Sequence, residues 1–255
     1  MTDLLTLEGL TVDLPARTGG TVRVLDGISL AVPPGAALGI VGESGSGKTM
    51  LLRAIMDILP DGATRTVGEF LIDGVDAGDP RSRPATSMVF QDPMTSFNPL
   101  MRIGAHLTEV ARRYQRVTPR AARALARDAL AAARVPDPER VLGRYPHELS
   151  GGLRQRAMIA MALLAEPRLL LADEPTTALD ATVQAEILAL LQRLREERAL
   201  TLVVVTHDLG VVAALCDTVA VMKDGVIVER GGVDAVFADP QHPYTRSLLA
   251  AGGES

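Results

Sequence analysis

The sequence contains few of the features that mark secreted or membrane-embedded proteins. Cys216 is its only cysteine, which excludes an internal disulfide and a metal cluster held by several thiolates of this chain. The longest uncharged stretch near the middle, residues 157–165, is far shorter than the roughly 20 apolar residues of a membrane helix. Asp3 and Glu8 interrupt the first segment, where a secretory signal needs a basic start and an apolar run. We therefore expect a reducing, cytosolic setting, and contact with a membrane only through a partner.

Aromatic residues and excess positive charge are also scarce. Aromatics make up 3% of the 255 residues and tryptophan is absent, so the core has to be built from aliphatic side chains, which suits helices packed on a buried sheet. The formal net charge of −5 offers no general attraction to nucleic acid, and we expect none as a partner. With 47% hydrophobic residues, one large domain or two small ones can fold without disulfides or metals.

Apolar runs and amphipathic segments alternate through much of the chain. Residues 35–42 (GAALGIVG) predict a buried strand, and the apolar positions within residues 51–59 predict a helix after it. The apolar runs at residues 169–172 and 201–205 predict two more buried strands, with an amphipathic helix at residues 183–194 between them. This β-α-β-α order predicts an α/β fold with a parallel sheet covered on both faces.

Two regions depart from that alternation. Residues 4–32 alternate apolar and polar side chains around a turn at residues 18–20 (Thr-Gly-Gly), and residues 69–72 lead into a turn at residues 73–74 (Asp-Gly). These patterns predict a small antiparallel layer. Residues 92–165 are mostly helical in pattern, which predicts a helical insertion.

The helical region and the C-terminal part contain their own boundary signals. Thr118 is a good helix cap, and Pro119 fits the first turn of the helix that follows. Residues 219–228 (VAVMKDGVIV) predict a hairpin that turns at Asp224 and Gly225.

The sequence GESGSGKT follows the first buried strand and precedes a helix. Gly42, Gly45 and Gly47 let the backbone curl so that its N–H groups point inward, where the positive end of the helix also points. Lys48 then neutralises phosphate charge, and the Thr49 hydroxyl can bind Mg²⁺. A flexible Gly/Ser linker is the alternative, which the flanking strand and helix disfavour. We predict a nucleoside triphosphate site at Gly42, Glu43, Ser44, Gly45, Ser46, Gly47, Lys48, Thr49 and Met50.

Two acidic residues stand at the end of another buried strand, in LLLADEP. Asp173 and Glu174 would emerge at the carboxyl edge of the parallel sheet, where ligands bind in such folds. We predict that Asp173 holds the Mg²⁺ shell and that Glu174 polarises the water that attacks the γ-phosphate. The alternative is a solvated strand end followed by a proline turn.

The segment LSGGLRQR predicts a second anion-binding helix end. Ser150 is a good N-cap, and Gly151 and Gly152 leave the first turn free of side chains. As an isolated pattern it could equally be an ordinary helix start.

These motifs resemble an ATP-binding cassette (ABC) ATPase over nearly the full chain. In family order they are GESGSGKT, VFQDP with Gln91, LSGGLRQR, LLLADEP with Ala178-Leu179-Asp180, and the run Val205-Thr206-His207-Asp208. The resemblance implies a P-loop NTPase fold: a RecA-like parallel-sheet core with an antiparallel β layer (residues 1–91 and 162–232), an inserted helical subdomain (residues 92–161) and a C-terminal helical extension (residues 233–255).

The resemblance also implies how the residues act. Gln91 would sense Mg²⁺ and water at the hinge to the helical subdomain, and His207 would contact the γ-phosphate. Two subunits would form a head-to-tail dimer that sandwiches ATP between the phosphate loop of one and the LSGG helix end of the other. The residues contributed across that interface would be Ser150, Gly151, Gly152, Gln155 and Asp180.

Three further stretches resemble the peptide and nickel importer branch of the family. They are residues 89–100 (VFQDPMTSFNPL), 58–74 (ILPDGATRTVGEFLIDG) and 237–251 (FADPQHPYTRSLLAA). The resemblance implies a second ABC ATPase subunit, identical or homologous, two integral membrane permeases and, indirectly, an extracytoplasmic substrate-binding protein. The chain would then lie at the cytoplasmic face of the inner membrane. The C-terminal end is short and lacks the cysteine cluster of some oligopeptide members, which favours nickel or metal-chelate importers. Dipeptide importers with a similarly short end are the alternative.

Two other functions fit parts of the same sequence. One is a soluble cassette ATPase that serves as an assembly factor of a metabolic enzyme complex. The other is a nucleotide-binding regulator without turnover, which Glu174 and the complete LSGGLRQR segment disfavour.

The sequence departs from the family near the expected base site. Such cassettes usually stack adenine on an aromatic residue of the N-terminal β region, but no Phe, Tyr or Trp precedes Phe70. Leu14, Arg23 or Val24 would cover the base instead. We therefore expect modestly weaker nucleotide binding and looser base selectivity.

Overall fold

Two β-sheets, with helices packed around them, make up the fold. The computed structural model describes residues 2–16, 19–78 and 84–252. The strands are β1 (Leu5–Pro15), β2 (Thr21–Val32), β3 (Ala37–Val41), β4 (Thr64–Thr66), β5 (Glu69–Ile72), β6 (Val75–Asp76), β7 (Thr86–Val89), β8 (Leu169–Asp173), β9 (Thr201–Val205), β10 (Thr218–Lys223) and β11 (Val226–Gly232). The helices are α1 (Lys48–Met56), α2 (Pro93–Ser96), α3 (Ile103–Gln115), α4 (Pro119–Ala132), α5 (Pro138–Leu142), α6 (Gly151–Leu163), α7 (Ala181–Arg198), α8 (Leu209–Leu215), α9 (Val233–Ala238) and α10 (Pro243–Gly252), with a 3-10 turn at Pro146–Glu148.

The larger sheet contains the predicted buried strands. Its order is β11-β10-β3-β9-β8-β7, and all neighbours are parallel except the β10–β11 pair. Every residue of β3, β8 and β9 is buried, because helices cover both faces of the sheet. Val205 pairs with both Ile40 and Asp173, so the strands end level with one another. The predicted α/β fold with a parallel core is confirmed.

The smaller sheet is the predicted antiparallel layer. Its order is β2-β1-β5-β6, with β4 paired to β1. Asp73 and Gly74 join β5 to β6 with φ angles of 55° and 73°, as their Asp-Gly sequence predicts. At the predicted β1–β2 turn, Gly19 and Gly20 have positive φ, and Thr18 lies outside the described residues.

Helices α2 to α6 form the predicted insertion between β7 and β8. Thr118 caps α4, its Oγ1 accepting a hydrogen bond of 3.4 Å from the Ala121 N–H, and Pro119 occupies the first turn as predicted. α6 continues to Leu163, so the boundary predicted after residue 161 falls inside this helix. The insertion also shares one apolar cluster with the sheet and α7, which includes Leu107, Leu130, Met158, Leu170 and Leu190.

The C-terminal part returns to the edge of the larger sheet. The β10–β11 hairpin turns at Asp224 and Gly225, with φ angles of 48° and 80°, as predicted. α9 and α10 follow the hairpin, within the residues expected from the resemblance to form an extension (233–255), of which 253–255 lie outside the described part. Within residues 2–16, 19–78 and 84–252, no helix combines the length and the apolar character needed to cross a membrane.

The single cysteine is partly buried against the apolar core. A Cβ placed on Gly39 would lie 3.2 Å from the Cys216 Sγ, which shows how closely the thiol approaches β3. Burial raises the pKa of the Cys216 thiol to about 12. Only the thiolate is a strong nucleophile, so the raised pKa lowers the reactivity of the native thiol at neutral pH.

We expect iodoacetamide at pH 8 to alkylate Cys216 slowly in the native protein and rapidly in guanidinium chloride, because unfolding restores an ordinary thiol pKa. Mass spectrometry of timed samples gives both rates. Native alkylation at the rate of a free thiol would contradict the buried position.

Candidate nucleotide-binding and catalytic site

The predicted site residues follow the carboxyl ends of four parallel strands. Gly42 follows β3, Gln91 lies just beyond β7, Glu174 follows β8 and His207 lies just beyond β9. Because these strands end level, residues distant in sequence meet at one edge of the sheet.

Backbone hydrogen bonds hold the strand ends together. The Glu174 N–H donates to the Val205 carbonyl at 2.8 Å, and the Thr206 N–H donates to the Ile40 carbonyl at 3.1 Å. The segments that carry the site are therefore fixed to one another by the main chain.

The phosphate loop, residues 42–49, requires glycine at two crowded positions. Gly42 has a φ of 157°, and a Cβ there would lie 2.1 Å from the Met222 carbonyl oxygen. Gly47 has a φ of 102°, and its Cβ would lie 2.9 Å from Leu25 Cδ2. A side chain at either position would push the loop away from β10 or β2.

The loop offers donors for an anion. In the described part of the chain, the backbone N–H groups of Gly45, Gly47, Lys48 and Thr49 have no acceptor. The Leu51 N–H, one turn later, donates a hydrogen bond to the Gly47 carbonyl at 2.9 Å. Unpaired N–H groups and the positive helix end both favour phosphate at this place. A triphosphate therefore fits the loop that the sequence predicted.

Lys48 is held among the oxygens of this loop. Its Nζ donates to the Gly42 carbonyl at 2.7 Å, the Glu43 carbonyl at 2.8 Å and Ser46 Oγ at 3.4 Å. Burial lowers the pKa of Lys48, while the carboxylates of Glu174 and Asp173 act to raise it. A buried ammonium is stabilised by a nearby anion, which a bound phosphate supplies.

Thr49 and Asp173, two of the residues predicted to bind magnesium, are in direct contact. Thr49 Oγ1 donates to Asp173 Oδ1 at 3.1 Å. Burial raises the pKa of Asp173, and the bond from Thr49 opposes that shift. A hydroxyl and a carboxylate are oxygen ligands of the kind Mg²⁺ prefers. The described residues contain no group of three or more acidic, His or Cys side chains placed to hold a metal. The pair therefore suits an ion that takes its other ligands from phosphate and water.

Glu174 lies at the centre of the predicted catalytic residues. Its Oε1 is 3.2 Å from His207 Nδ1, and its Oε2 accepts bonds from Gln91 Nε2 at 2.9 Å and Thr177 Oγ1 at 2.7 Å. The structure thus brings Glu174, Gln91 and His207 together. Thr177 was not predicted, because its contact depends on the tight turn after β8.

Glu174 has an uncommon backbone conformation, and its surroundings keep its side chain ionised. Its φ of 46° lies in the left-handed region, which is uncommon for a side-chain-bearing residue and typical of functional sites. Burial acts to raise the pKa of Glu174, but the hydrogen bonds from Thr177 and His207 and the charges of His207 and Lys48 outweigh it, so the pKa is lowered. A carboxylate in this state can accept a proton from water.

The segment LSGGLRQR spans residues 149–156 and contains the start of α6. Ser150 is exposed, and its Oγ accepts a hydrogen bond of 3.4 Å from the Leu153 N–H. A Cβ on Gly152 would lie 2.6 Å from Val183 Cγ1, so this glycine is needed for packing against α7. Within the described residues, no hydrogen bond or ion pair joins residues 150–152 to the phosphate loop. The two anion-binding helix ends of one chain are therefore separate.

Two further residues were predicted at the interface between subunits. Asp180 is exposed and caps α7, accepting a hydrogen bond of 3.0 Å from the Val183 N–H. Gln155 is only 3% exposed, and its amide donates to the Pro175 carbonyl at 2.6 Å. Within one chain the Gln155 amide supports the turn after β8, and its predicted contact with a second subunit stays a prediction.

A cavity of about 330 Å³ separates the Gln91 segment from the start of α6. It is lined by Gln91, Asp92, Pro93, Met94, Gly151, Arg154, Gln155, Thr177, Ala178 and Leu179. Gln91, the predicted hinge residue, therefore faces the start of α6 across this cavity.

The expected base site is aliphatic. Leu14 pairs with Val22 across β1 and β2, and Val22 is 56% exposed. The Val24 carbonyl lies 3.1 Å from the Cβ position of Gly47, which places β2 beside the phosphate loop. Arg23 is occupied by ion pairs of 3.0 Å with each of two carboxylates, Asp13 and Asp26. β2 therefore meets the loop at Val24, and the paired Leu14 and Val22 are aliphatic side chains farther along the same two strands; Val22 was not predicted.

Comparison with known proteins identifies the family. The family model described as ABC transporter matches residues 25–177. Over 260 residues the chain is 44% identical to the oligopeptide transport ATP-binding protein OppD of Bacillus subtilis, covering 98% of this chain and 72% of that protein. The chain belongs to the ABC transporter family. As an ABC ATPase it has the predicted fold and reaction, ATP hydrolysis.

Other relatives show how much of a longer protein this ABC ATPase matches. It is 44% identical to the glutathione import ATP-binding protein GsiA of Salmonella choleraesuis over 98% of this chain and only 42% of GsiA. It is also 42% identical to the dipeptide transport ATP-binding protein DppD of Bacillus subtilis, over 98% of this chain and 77% of DppD. The chain therefore spans less than half of GsiA.

Solved structures of ABC cassettes share the fold. The dimeric, post-hydrolysis structure of the cassette MJ0796 bound to ADP and Pi matches with a TM-score of 0.77 and 29% identity, covering 90% of this chain and 98% of that one. The cbiO1 structure from Clostridium perfringens, part of the cbiONQ transporter complex, matches with a TM-score of 0.74 and 29% identity, covering 94% of this chain and 92% of that one.

We expect Glu174→Gln to bind ATP with Mg²⁺ but to hydrolyse it about 100- to 10,000-fold more slowly, because an amide cannot take the proton of the attacking water. The variant should also accumulate as an ATP-bound dimer in light scattering. Lys48→Ala is the control, which should bind no ATP. Normal turnover by Glu174→Gln would show that another group is the base.

We expect this ABC ATPase to discriminate weakly between ATP and GTP, with kcat/KM values within about tenfold, because Leu14 and Val22 offer no ring to stack on. Leu14→Tyr should then tighten ATP binding about fivefold, the equivalent of about 1 kcal/mol of restored stacking. The control is Val75→Tyr, at an exposed position on the opposite edge of the same sheet. Strict ATP preference in the wild type would contradict the aliphatic base site.

Proposed function

We propose that the chain is the ATP-hydrolysing subunit of a peptide importer and works as one half of a head-to-tail dimer. The observation that supports this proposal most is the separation of the two predicted anion-binding helix ends, at the starts of α1 and α6. The phosphate loop lies with Asp173 and Glu174 at one sheet edge, while Ser150 is exposed at the start of α6 without a bond to that loop. A second subunit would bring the missing helix end to each nucleotide.

Each residue has one task in the proposed reaction. The loop N–H groups and Lys48 bind the phosphates, and Thr49, Asp173 and Gln91 would hold Mg²⁺, which neutralises phosphate charge when bound. Glu174 takes a proton from water as the water oxygen attacks the γ-phosphorus and the bond to the ADP oxygen breaks. His207, whose side chain is 64% exposed beside Glu174, contacts the γ-phosphate.

The γ-phosphate would couple chemistry to movement. It is the group that both subunits contact, the loop from one side and Ser150, Gly151 and Gly152 from the other. Binding of ATP therefore favours the closed dimer, and hydrolysis removes the shared contact. Asp180, exposed at the start of α7, would lie at the seam.

The relatives support the transport role and its substrate class. Those reported above are named for oligopeptide transport, glutathione import and dipeptide transport, which favours peptides over the nickel or metal-chelate class that the short chain end suggested. They likewise favour transport over the assembly-factor alternative. The proposed partners are a second ABC ATPase subunit, two permeases and, indirectly, an extracytoplasmic substrate-binding protein. The permeases would hold the chain at the cytoplasmic face of the membrane.

The permease contact would include Leu100. This side chain follows the Gln91 segment and is 85% exposed, more than any other large hydrophobic residue described. A permease that docks on residues 91–101 would bury this side chain, which is otherwise left in water.

We expect the tagged chain, purified from detergent-solubilised membranes, to bring with it two multi-span proteins identified by mass spectrometry. Leu100→Asp should lose both while it keeps ATP binding, because a charge at this position opposes an apolar contact. Ile58→Asp, at another exposed aliphatic residue, is the matched control. Recovery of a soluble enzyme complex in place of membrane proteins would overturn the transport proposal.

A further inference from the structure

The C-terminal helix α10 reaches the nucleotide site through one side chain. Tyr244, in the first turn of α10, is 8% exposed and packs in an apolar cluster with Val41 of β3, Val221 of β10 and Val236 of α9. The Lys223 ammonium lies 4.9 Å from the centre of its ring. Packing and this cation–π contact fix the ring against the edge of the larger sheet.

A carboxylate from the core anchors the segment that leads into α10. Glu229 of β11 accepts hydrogen bonds from the Gln241 N–H at 2.7 Å and the His242 N–H at 2.9 Å. Burial acts to raise the pKa of Glu229, but the Thr245 side chain and these two backbone bonds outweigh it and lower the pKa. The carboxylate therefore stays charged and holds the start of the helix in place.

The Tyr244 hydroxyl contacts the phosphate loop. The Glu43 N–H donates to it at 2.9 Å. This N–H belongs to the same peptide group as the Gly42 carbonyl, which accepts a hydrogen bond of 2.7 Å from Lys48 Nζ. Because a peptide group is planar and rigid, a partner that fixes its N–H also fixes the direction of its carbonyl. One peptide is thus held between Tyr244 and Lys48.

We propose that Tyr244 is a positioning residue for Lys48 in nucleotide binding. This inference rests on the proposed function, in which Lys48 binds the phosphates. The ammonium has three donors, and all three are directed to the loop, at Gly42, Glu43 and Ser46. A phosphate has to take over at least one of them, so the remaining bonds hold the ammonium in place. Tyr244 keeps the Gly42 carbonyl aimed at Lys48 during that exchange.

The hydroxyl and the ring have separable effects. The ring contributes the apolar packing that attaches α10, whereas the hydroxyl lies beyond it at the loop. Burial raises the pKa of the Tyr244 hydroxyl, so it stays a neutral phenol and the contact is independent of pH in the neutral range. Removal of the oxygen alone therefore tests the positioning role without detaching the helix.

We expect Tyr244→Phe to raise the dissociation constant for ATP about three- to tenfold, the effect of one lost hydrogen bond on a pre-organised group. Its KM for ATP should rise in proportion, with kcat within about twofold of the wild type and a melting temperature only a few degrees lower, the cost of one hydrogen bond. Titration of the full chain with a fluorescent ATP analogue, steady-state kinetics and calorimetry measure the three quantities. Tyr114→Phe is the matched control, because its side chain is 54% exposed and its hydroxyl has no partner among the described residues.

Two results would overturn the inference. Unchanged ATP affinity in Tyr244→Phe would show that the hydroxyl has no part in binding. A parallel loss of affinity and melting temperature, matching that of Tyr244→Ala, would show that Tyr244 only attaches α10. Lys48→Ala separates this inference from the proposed function. If Lys48→Ala binds ATP normally, the proposed role of Lys48 is wrong. If Lys48→Ala loses ATP affinity while Tyr244→Phe keeps it, only the inference about Tyr244 is wrong.

Discussion

The site depends on the level ending of four parallel strands. Each functional group follows a different strand, so no local segment contains the chemistry by itself. The main-chain bonds from Glu174 to Val205 and from Thr206 to Ile40 set the spacing between these segments. Since all residues of β3, β8 and β9 are buried, a shift of one strand would have to disrupt close packing on both faces. The fold therefore supplies a rigid platform for charged groups.

The surroundings of the site act differently on the charges of Lys48, Asp173 and Glu174. Burial lowers the pKa of Lys48 and raises the pKa of Asp173, so the site disfavours both charges when taken singly. Glu174 differs, because four contacts and charges around it keep it ionised. A polyanion with a divalent cation relieves the first two costs together. Nucleotide and metal are thus expected to bind as a unit.

Local sequence patterns predicted the parts of the fold that depend on neighbours along the chain. Strands, hairpin turns and the Thr118 cap follow from periodicity and turn chemistry, and the phosphate loop follows from glycine spacing. Contacts made across the fold could not be predicted in this way. Gln155 turns inward to Pro175, Thr177 reaches back to Glu174, and Tyr244 meets Glu43 from 201 positions away. Each of these contacts depends on how helices and loops pack against one another, and a single sequence does not predict that packing.

The apolar cluster shared by the helical insertion and the core limits how the two can move. It runs without interruption from α3 and α4 through α6 to α7 and the sheet. Arg156 of α6 crosses the same boundary, donating to the Ala133 carbonyl and to Glu186 of α7. A wide swing of the insertion would expose this layer to water, whereas a small sliding rotation would keep it covered. We therefore expect the insertion to move relative to the sheet by small sliding displacements that keep this apolar layer covered.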